Sequence, residues 1–230
     1  MSSVNHHRNV AQGSARGWGL CHSSLAQEVA GDELFQLAYK RAQDRTLVSL
    51  ERLMNFFLIV RDGLAPLESR HIIEFGSYKG GTAVFMSTLL AELYPDAKFY
   101  ALDSYGGMPE TDSSIDMHGK GDFGDADADE LRTAADEMGL QNLVIVKGFF
   151  DETFPSLSDR YGLCHIDCDI IDGVRYSQRA VWPHMVPGGY VIYDDANAPS
   201  CIGATQAMEE MIIERQILSE QAWPHIVFRS

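Results

Sequence analysis

Basic residues are scarce in this 230-residue sequence, which has 18 Lys and Arg against 33 Asp and Glu and a formal net charge of −15. A chain with this balance repels the phosphate backbone of nucleic acids and the anionic surface of lipid bilayers. The composition therefore predicts that neither nucleic acid nor a membrane is a partner.

Cysteines and long apolar runs are also few. No two of the four cysteines have CxxC spacing, which is typical of reduced thiols that pack as small apolar side chains. No run approaches the roughly 20 apolar residues of a membrane-spanning helix, and the N-terminal stretch lacks the apolar centre of a signal peptide. These absences predict a cytoplasmic protein.

The remaining composition is that of an ordinary globular protein, with 45% apolar and 22% charged residues. Residues 1–24 are rich in Ser, Gly, Asn, Gln and His without periodicity, which predicts a flexible N-terminal arm. His6 and His7 in this arm are metal-ligand types, but a mobile tail explains them as well. We expect residues 25–230 to form a single domain.

The pattern of apolar residues predicts an α/β fold. Helical spacing over 32–60 predicts two helices ahead of a sheet, and short apolar segments then alternate with helical ones. Such alternation predicts a mostly parallel sheet with helices on both faces. The expected strands are 71–75, 98–103, 143–148, 162–169, 188–195 and 224–229. A glycine turn within 76–93 is expected to open a helix of about three turns, and the other later helices are expected over 128–139, 177–185 and 201–215.

One segment fits no regular element. Residues 110–130, "ETDSSIDMHGKGDFGDADADE", are rich in Gly, Asp and Ser and longer than most loops of compact domains. The sequence leaves open whether they form a lid over a functional site or a disordered insert.

Polar residues follow the first two predicted strands, where an open α/β sheet binds its ligands. "EFGSYKGG" (74–81) has glycines that allow a ligand to approach the backbone, but it lacks the GxGxxG spacing of dinucleotide sites. Glu74 would repel a pyrophosphate and suits an ammonium group. Asp103 lies about 20 residues beyond this turn, the offset at which a carboxylate accepts hydrogen bonds from ribose hydroxyls. A site that suits a ribose and an amino group but not a phosphate favours S-adenosylmethionine over NAD as the ligand.

Carboxylate pairs follow two later strands. Asp167 and Asp169 follow "HI", and Asp194 and Asp195 follow "YVIY". If these strands are neighbours, the four side chains meet at one edge of the sheet and repel one another unless a cation neutralises them. Oxygen ligands favour Mg²⁺ or another hard divalent cation over zinc.

The chain resembles the macrocin O-methyltransferase family, which are metal-dependent S-adenosylmethionine enzymes that methylate sugar hydroxyls of antibiotics. The similarity runs from about Arg45 to Met211, and its most specific segments are "DSYGGMP" and "HIDCD…PGGYVIYDD". The resemblance implies a Rossmann-like class I methyltransferase fold with a seven-stranded sheet, a core over 71–230 and N-terminal helices or a lid over 25–65.

The resemblance also implies roles for individual residues. Asp169 would be the general base, and His118 in the acidic loop is the rival base if that loop folds over the site. The metal ligands would be Asp167, Asp194 and Asp195. The S-adenosylmethionine site would comprise Glu74, Gly76, Ser77, Tyr78 and Lys79 at the methionine end, Asp103 and Ser104 at the ribose, Gly148, Phe149 and Phe150 near the adenine, and Asp167.

The sequence leaves the identity of the methyl acceptor open. A sugar or another small molecule with vicinal hydroxyls fits the family, whereas a catechol or flavonoid also offers adjacent hydroxyls. A ligand-binding or scaffold protein with a degenerate site is the alternative of another class. Residue 170 onward reads "IIDG" where the family usually reads "LYDS". The helices over 32–60 and the long loop offer a surface for a homodimer or a lid.

Overall fold

The computed structural model describes residues 24–230, so the predicted arm, with His6 and His7, lies outside the described residues apart from Ser24. Three N-terminal helices come first: α1 (Leu25–Ala30), α2 (Glu33–Ala42) and α3 (Leu50–Leu58), which a π-helical turn extends over Ile59–Gly63. The Asp32 carboxylate accepts the backbone N–H groups of Leu34 and Phe35 and so caps α2. The two helices predicted over 32–60 are confirmed, and the short α1 is additional.

The central sheet has six strands among the described residues. In the order β3-β2-β1-β4-β5-β6, all neighbours pair in parallel except β5 and β6. The chain order reverses between β1 and β4, which creates a crevice beyond the carboxyl ends of these strands. The bounds are β1 Ile72–Phe75, β2 Phe99–Asp103, β3 Leu143–Lys147, β4 Tyr161–Ile166, β5 Met185–Tyr193 and β6 Ile226–Arg229.

The expected seventh strand is not formed by the described residues. The segment ahead of β6 pairs with it through one isolated bridge, between Gln221 and Val227. Pro224 lies in the intervening turn and has no backbone N–H to donate, so the ladder does not extend. The expected mostly parallel α/β architecture is confirmed, with six strands in place of seven.

Helices cover both faces of the sheet, as predicted. Phe35 of α2, Phe57 of α3 and Phe85 belong to one apolar cluster, and Val174 and Ala207 belong to the other. None of the helices in residues 24–230 combines the length and the apolar character that a membrane crossing needs. The later helices are α4 Gly81–Leu93, α5 Ala128–Glu137, α6 Phe150–Thr153, α7 Ile171–Val181 and α8 Ile202–Arg215.

The helix expected over 177–185 is displaced towards the N-terminus. It begins at Ile171 because the distant Asp116 accepts the Ile171 backbone N–H at 2.9 Å and caps the helix. After Val181 a short 3-10 turn, Trp182–His184, leads into β5, which already begins at Met185. The sequence showed no local start signal because the capping carboxylate comes from the acidic loop.

Candidate active site

A cavity of about 660 Å³ opens beyond the carboxyl ends of β1, β2, β4 and β5. Its volume is within the range of small-molecule sites. Its wall includes Arg52 of α3 and the segment 45–48 between α2 and α3, together with Phe123 of the acidic loop and Met108, which precedes that loop. The predicted residues on its wall are Gly76, Ser77, Tyr78, Asp103, Ser104, Phe149, Phe150, Asp167, Asp169, Asp194 and Asp195.

The turn between β1 and α4 depends on Gly76. Its φ of +91° is unfavourable for other residues. A Cβ atom at this position would also lie 1.7 Å from the backbone oxygen of Asp167. The absent side chain therefore lets the turn after β1 contact the turn after β4, which brings the predicted cofactor turn beside the first carboxylate of the acidic cluster.

Asp103 fixes this turn from the end of β2. Its Oδ2 accepts the backbone N–H groups of Ser77 at 2.9 Å and Tyr78 at 2.8 Å, and its Oδ1 accepts the N–H of Tyr105 at 2.7 Å. A carboxylate has about four acceptor positions. Asp103 thus orders the cavity wall and keeps acceptor capacity for a ribose hydroxyl.

Three residues expected to contact the cofactor lie off the cavity wall. Glu74 is 1% exposed, and its carboxylate accepts from Ser77 Oγ at 2.6 Å and contacts His165 Nδ1 at 2.9 Å. Lys79 turns outward to form an ion pair with Asp125 at 2.6 Å. Gly148, with a φ of +144°, forms the turn ahead of Phe149. Their roles in cofactor binding stay predictions.

The predicted metal ligands converge. Carboxylate oxygens of Asp167, Asp194 and Asp195 all lie within 4.8 Å of one another. Burial and the neighbouring carboxylates raise the pKa of Asp167, and burial together with Asp169 and Asp194 raises the pKa of Asp195 to about 7. These groups destabilise one another's charged forms, so this oxygen-only set fits a hard divalent cation.

Asp194 differs from its neighbours because three side chains hold it. Its Oδ1 accepts from His225 Nε2 at 3.0 Å, its Oδ2 accepts from Arg52, and His165 Nε2 faces Oδ1 at 3.4 Å. Burial alone would raise the pKa of Asp194, but His165 and His225 outweigh it and lower the pKa. Asp194 is therefore the carboxylate of the cluster that stays ionised most readily.

The two histidines have different charge states. Burial lowers the pKa of His225 to about 4, so its neutral ring donates from Nε2 to Asp194 and accepts from Asn55 Nδ2 at 3.2 Å. Burial also opposes protonation of His165, but its contacts with Asp194 and Glu74 raise its pKa to about 9. A positively charged His165 thus stands between two buried carboxylates.

Asp169 lies directly beside the carboxylate cluster. Its φ of +58° is rare for a residue other than glycine, and its backbone N–H donates to Asp195 Oδ2 at 3.3 Å. Burial raises the pKa of its carboxyl group, while nearby His118 opposes the rise. A half-buried carboxylate of raised pKa at the cavity wall is suited to accept a proton.

The acidic loop folds over the cavity. The backbone N–H of Met108 donates to the Asp122 carbonyl at 2.9 Å, Tyr78 Oη donates to Asp125 at 2.8 Å, and His118 Nε2 lies 3.8 Å from Asp169 Oδ1. Of the two alternatives for this segment, the structure therefore favours a lid. His118 reaches the predicted base, as the lid alternative required.

Sequence reasoning missed Arg52, His165 and His225. A histidine inside the buried strand β4 was the available signal for His165. Arg52 lies on the polar side of α3, where an arginine is ordinarily solvent-exposed. Only the packing of α3 against the ends of β5 and β6 brings it to Asp194.

A family model described as Macrocin-O-methyltransferase (TylF) matches residues 29–222. Two curated relatives are similar over 68% of the chain. The first is the 8-demethyl-8-(2,3-dimethoxy-alpha-L-rhamnosyl)-tetracenomycin-C 4'-O-methyltransferase of Streptomyces olivaceus. It is 26% identical to this chain over 167 residues, which cover 64% of its own length. The second is the mycinamicin III 3''-O-methyltransferase of Micromonospora griseorubida. It is 24% identical to this chain over 170 residues, which cover 66% of its own length. The chain thus spans slightly less than two thirds of the length of these relatives.

Solved structures show the same fold at low sequence identity. The O-methyltransferase NovP superposes with a TM-score of 0.69 at 20% identity, covering 89% of this chain and 94% of NovP. The calicheamicin methyltransferase CalS11 superposes with a TM-score of 0.68 at 16% identity, covering 97% of this chain and 94% of CalS11. This likeness concerns the fold.

Proposed function

Because the chain belongs to the macrocin O-methyltransferase family, we propose that it is an S-adenosylmethionine-dependent O-methyltransferase of natural-product biosynthesis. Its acceptor is a hydroxyl of a sugar or another small molecule with vicinal hydroxyls. One observation carries the proposal: the cavity that holds the glycine turn after β1 also holds three carboxylates within 4.8 Å of one another, with Asp169 beside them.

S-adenosylmethionine occupies the half of the cavity next to β1 and β2 in this proposal. The backbone of Gly76, Ser77 and Tyr78 faces its methionine end, and Asp103 accepts from a ribose hydroxyl. Phe150, which packs edge-on against Phe75 with ring centroids 5.3 Å apart, offers an apolar wall to the adenine. The methionine, ribose and adenine contacts then lie at the ends of β1, β2 and β3, which are successive neighbours in the sheet.

Asp167, Asp194 and Asp195 hold Mg²⁺ or another hard divalent cation. When bound, the cation lowers the pKa of a coordinated hydroxyl and fixes its direction. The supporting contacts from Arg52, His165 and His225 keep Asp194 oriented towards the cavity. Such outer contacts normally orient metal ligands and tune their charge.

Asp169 removes the proton in the transfer step. The acceptor oxygen attacks the methyl carbon in line with the carbon–sulfur bond, which breaks and leaves S-adenosylhomocysteine, while the hydroxyl proton passes to the Asp169 carboxylate. His118 is the second candidate for this base, since its Nε2 faces the same region. The closed acidic loop excludes water from the reacting groups.

A catechol or flavonoid acceptor is the second candidate. Aromatic side chains of Phe123, Phe149 and Tyr176 line the cavity, and they suit a planar acceptor with adjacent hydroxyls. Product masses from matched panels of glycosides and catechols separate the two acceptor classes.

A melting experiment tests the cofactor and cation before any acceptor is known. We expect S-adenosylhomocysteine to raise the melting temperature and Mg²⁺ to raise it further, because each binds the folded state. If neither ligand shifts the transition, the chain is a non-catalytic protein with a degenerate site and the proposed function is wrong.

A further inference from the structure

A second group of metal-ligand side chains lies next to the carboxylate cluster, and the proposed reaction leaves most of it unused. It consists of His118 from the acidic loop, Asp169 after β4 and Cys201 at the start of α8, and its ligand atoms lie within 4.8 Å of one another. Asp169 Oδ1 is 3.8 Å from His118 Nε2 and 3.4 Å from Cys201 Sγ. Three separate chain segments thus bring nitrogen, oxygen and sulfur donors together.

The two measured distances agree with tetrahedral coordination. With metal–ligand bonds of about 2.0–2.3 Å, the ligand atoms of a tetrahedral zinc site are separated by roughly 3.3–3.8 Å. Both distances from Asp169 Oδ1 lie in this range, and the ligand atoms of the third pair, His118 and Cys201, lie within 4.8 Å of each other.

His118 is oriented as a metal-ligating histidine usually is. Its other ring nitrogen, Nδ1, lies 3.5 Å from Asp122 Oδ2, and its ring packs against Phe123 with centroids 5.3 Å apart. In metal sites a carboxylate behind the second ring nitrogen of a histidine commonly orients the ring. Asp122 occupies that position here, and the other ring nitrogen, Nε2, lies 3.8 Å from Asp169 Oδ1.

The donor set distinguishes this group from the neighbouring one. A thiolate and an imidazole favour Zn²⁺ or Co²⁺, whereas the oxygen-only set of Asp167, Asp194 and Asp195 favours Mg²⁺. Among the salt bridges of residues 24–230, none joins Asp169 to Lys or Arg. No Lys or Arg of the described chain therefore competes for this carboxylate.

We propose that His118, Asp169 and Cys201 form a second metal site that binds Zn²⁺ or a similar borderline ion. Binding releases the thiol proton of Cys201 to solvent and ties the acidic loop to the end of β4 and the start of α8. The site itself does not depend on the proposed reaction. One consequence does rest on it: zinc bound to Asp169 blocks the proposed base, so Zn²⁺ inhibits methyl transfer.

Cobalt absorption tests the site directly. Apo-protein with saturating Mg²⁺ and a Cys21→Ser background is titrated with Co²⁺, so that the carboxylate cluster and the N-terminal thiol do not contribute. We expect a single equivalent to give the intense visible bands of tetrahedral Co²⁺ and a thiolate charge-transfer band, and Zn²⁺ to remove both.

Matched variants assign the ligands. Cys201→Ser should abolish the charge-transfer band and weaken Zn²⁺ binding at least about tenfold, and Asp122→Asn should keep the band but weaken binding by about 10-fold to 100-fold. Cys168→Ser, which changes the neighbouring half-exposed thiol, should keep both. Retained S-adenosylhomocysteine binding shows that each variant is folded.

Two results overturn the proposal: Co²⁺ spectra without a thiolate band, and a thiolate band that survives Cys201→Ser. Failure of the proposed function has a different signature, because the cobalt spectra would then appear without any methyl transfer for Zn²⁺ to inhibit. Spectra with transfer that Zn²⁺ leaves unchanged would confirm the site and remove its inhibitory role.

Discussion

His165 Nδ1 lies 2.9 Å from Glu74 Oε1, and the Nε2 atom of the same ring faces Asp194 Oδ1 at 3.4 Å. Both residues of the first contact are at most 1% exposed. One buried imidazole therefore connects the carboxylate behind the predicted cofactor turn with a carboxylate of the predicted cation site. Contacts with Asp194 and Glu74 raise the pKa of His165, and the protonated ring offsets the cost of burying both acids.

Replacing His165 tests this connection. In His165→Asn the two carboxylates lose their shared positive partner, and removal of one member of a buried ion pair typically costs about 3–5 kcal/mol. We expect the free energy of unfolding, measured by urea denaturation, to fall by that order. His184→Asn is the control, since this half-buried ring packs on Phe154. Equal stabilities for the two variants would contradict the role of His165.

The contact between the two turns can be tested at Gly76. Alanine there must accept a φ of +91° and a clash with the Asp167 backbone, whereas alanine at Gly139 accepts a φ of +71° with no atom within 4 Å. Left-handed backbone costs about 1–2 kcal/mol. Gly139→Ala should lose that amount of stability, and Gly76→Ala should lose more and also bind S-adenosylhomocysteine more weakly.

Calorimetric titration with S-adenosylhomocysteine and thermal unfolding measure these two effects. A Gly76→Ala protein that matches Gly139→Ala in stability and wild type in affinity would show that the turns do not need this close approach.

Replacing Asp169 should lower turnover without weakening cofactor binding. Asn keeps the shape of the side chain but cannot accept a proton, so Asp169→Asn should lower kcat by about 10²-fold to 10⁴-fold. Its S-adenosylhomocysteine affinity should stay within about twofold of wild type, in line with a residue that acts on the acceptor. His118→Gln should cost less. If His118→Gln has the larger effect on kcat, the base is His118.

Much of this arrangement could be predicted because it is local. The glycine turn, Asp103 and the two carboxylate pairs each follow a strand, and parallel strands bring their carboxyl ends to one edge. The contacts of Asp116 with Ile171 and of Cys201 with Asp169 could not be predicted, since they join distant segments. The sequence predicts Glu74 as a cofactor ligand, but its position in the strand does not reveal that Ser77 and His165 contact its carboxylate.

Acid stability offers a test away from the cavity. Arg175 of α7 binds Glu210 of α8 through Nε at 2.7 Å, and this contact lowers the pKa of Glu210 to about 2. A carboxylate whose pKa is lower in the folded state than in the unfolded state stabilises the fold at pH values above its unfolded pKa, about 4.3 here. This stabilisation is lost as the pH falls towards the folded-state pKa of about 2. Both side chains are 30% exposed, so the contribution is about 1 kcal/mol or less.

Urea unfolding of wild type and Glu210→Gln at pH 6 and pH 3 measures this contribution. We expect wild type to be the more stable at pH 6 and the difference to shrink at pH 3, because the Glu210 carboxyl group is then mostly protonated in the unfolded state and must release its proton on folding. Arg175→Gln should behave like Glu210→Gln. A difference that stays constant or grows on acidification would contradict the pairing.

The cation at Asp167, Asp194 and Asp195 is the central claim, and metal-dependent methyl transfer tests it most directly. Protein is treated with EDTA and assayed by mass spectrometry, with S-adenosylmethionine, on an acceptor found in the glycoside and catechol panels. The account predicts that product disappears in EDTA, returns with Mg²⁺, and does not return in Asp195→Asn although that variant still binds S-adenosylhomocysteine. Full methyl transfer in EDTA would contradict it.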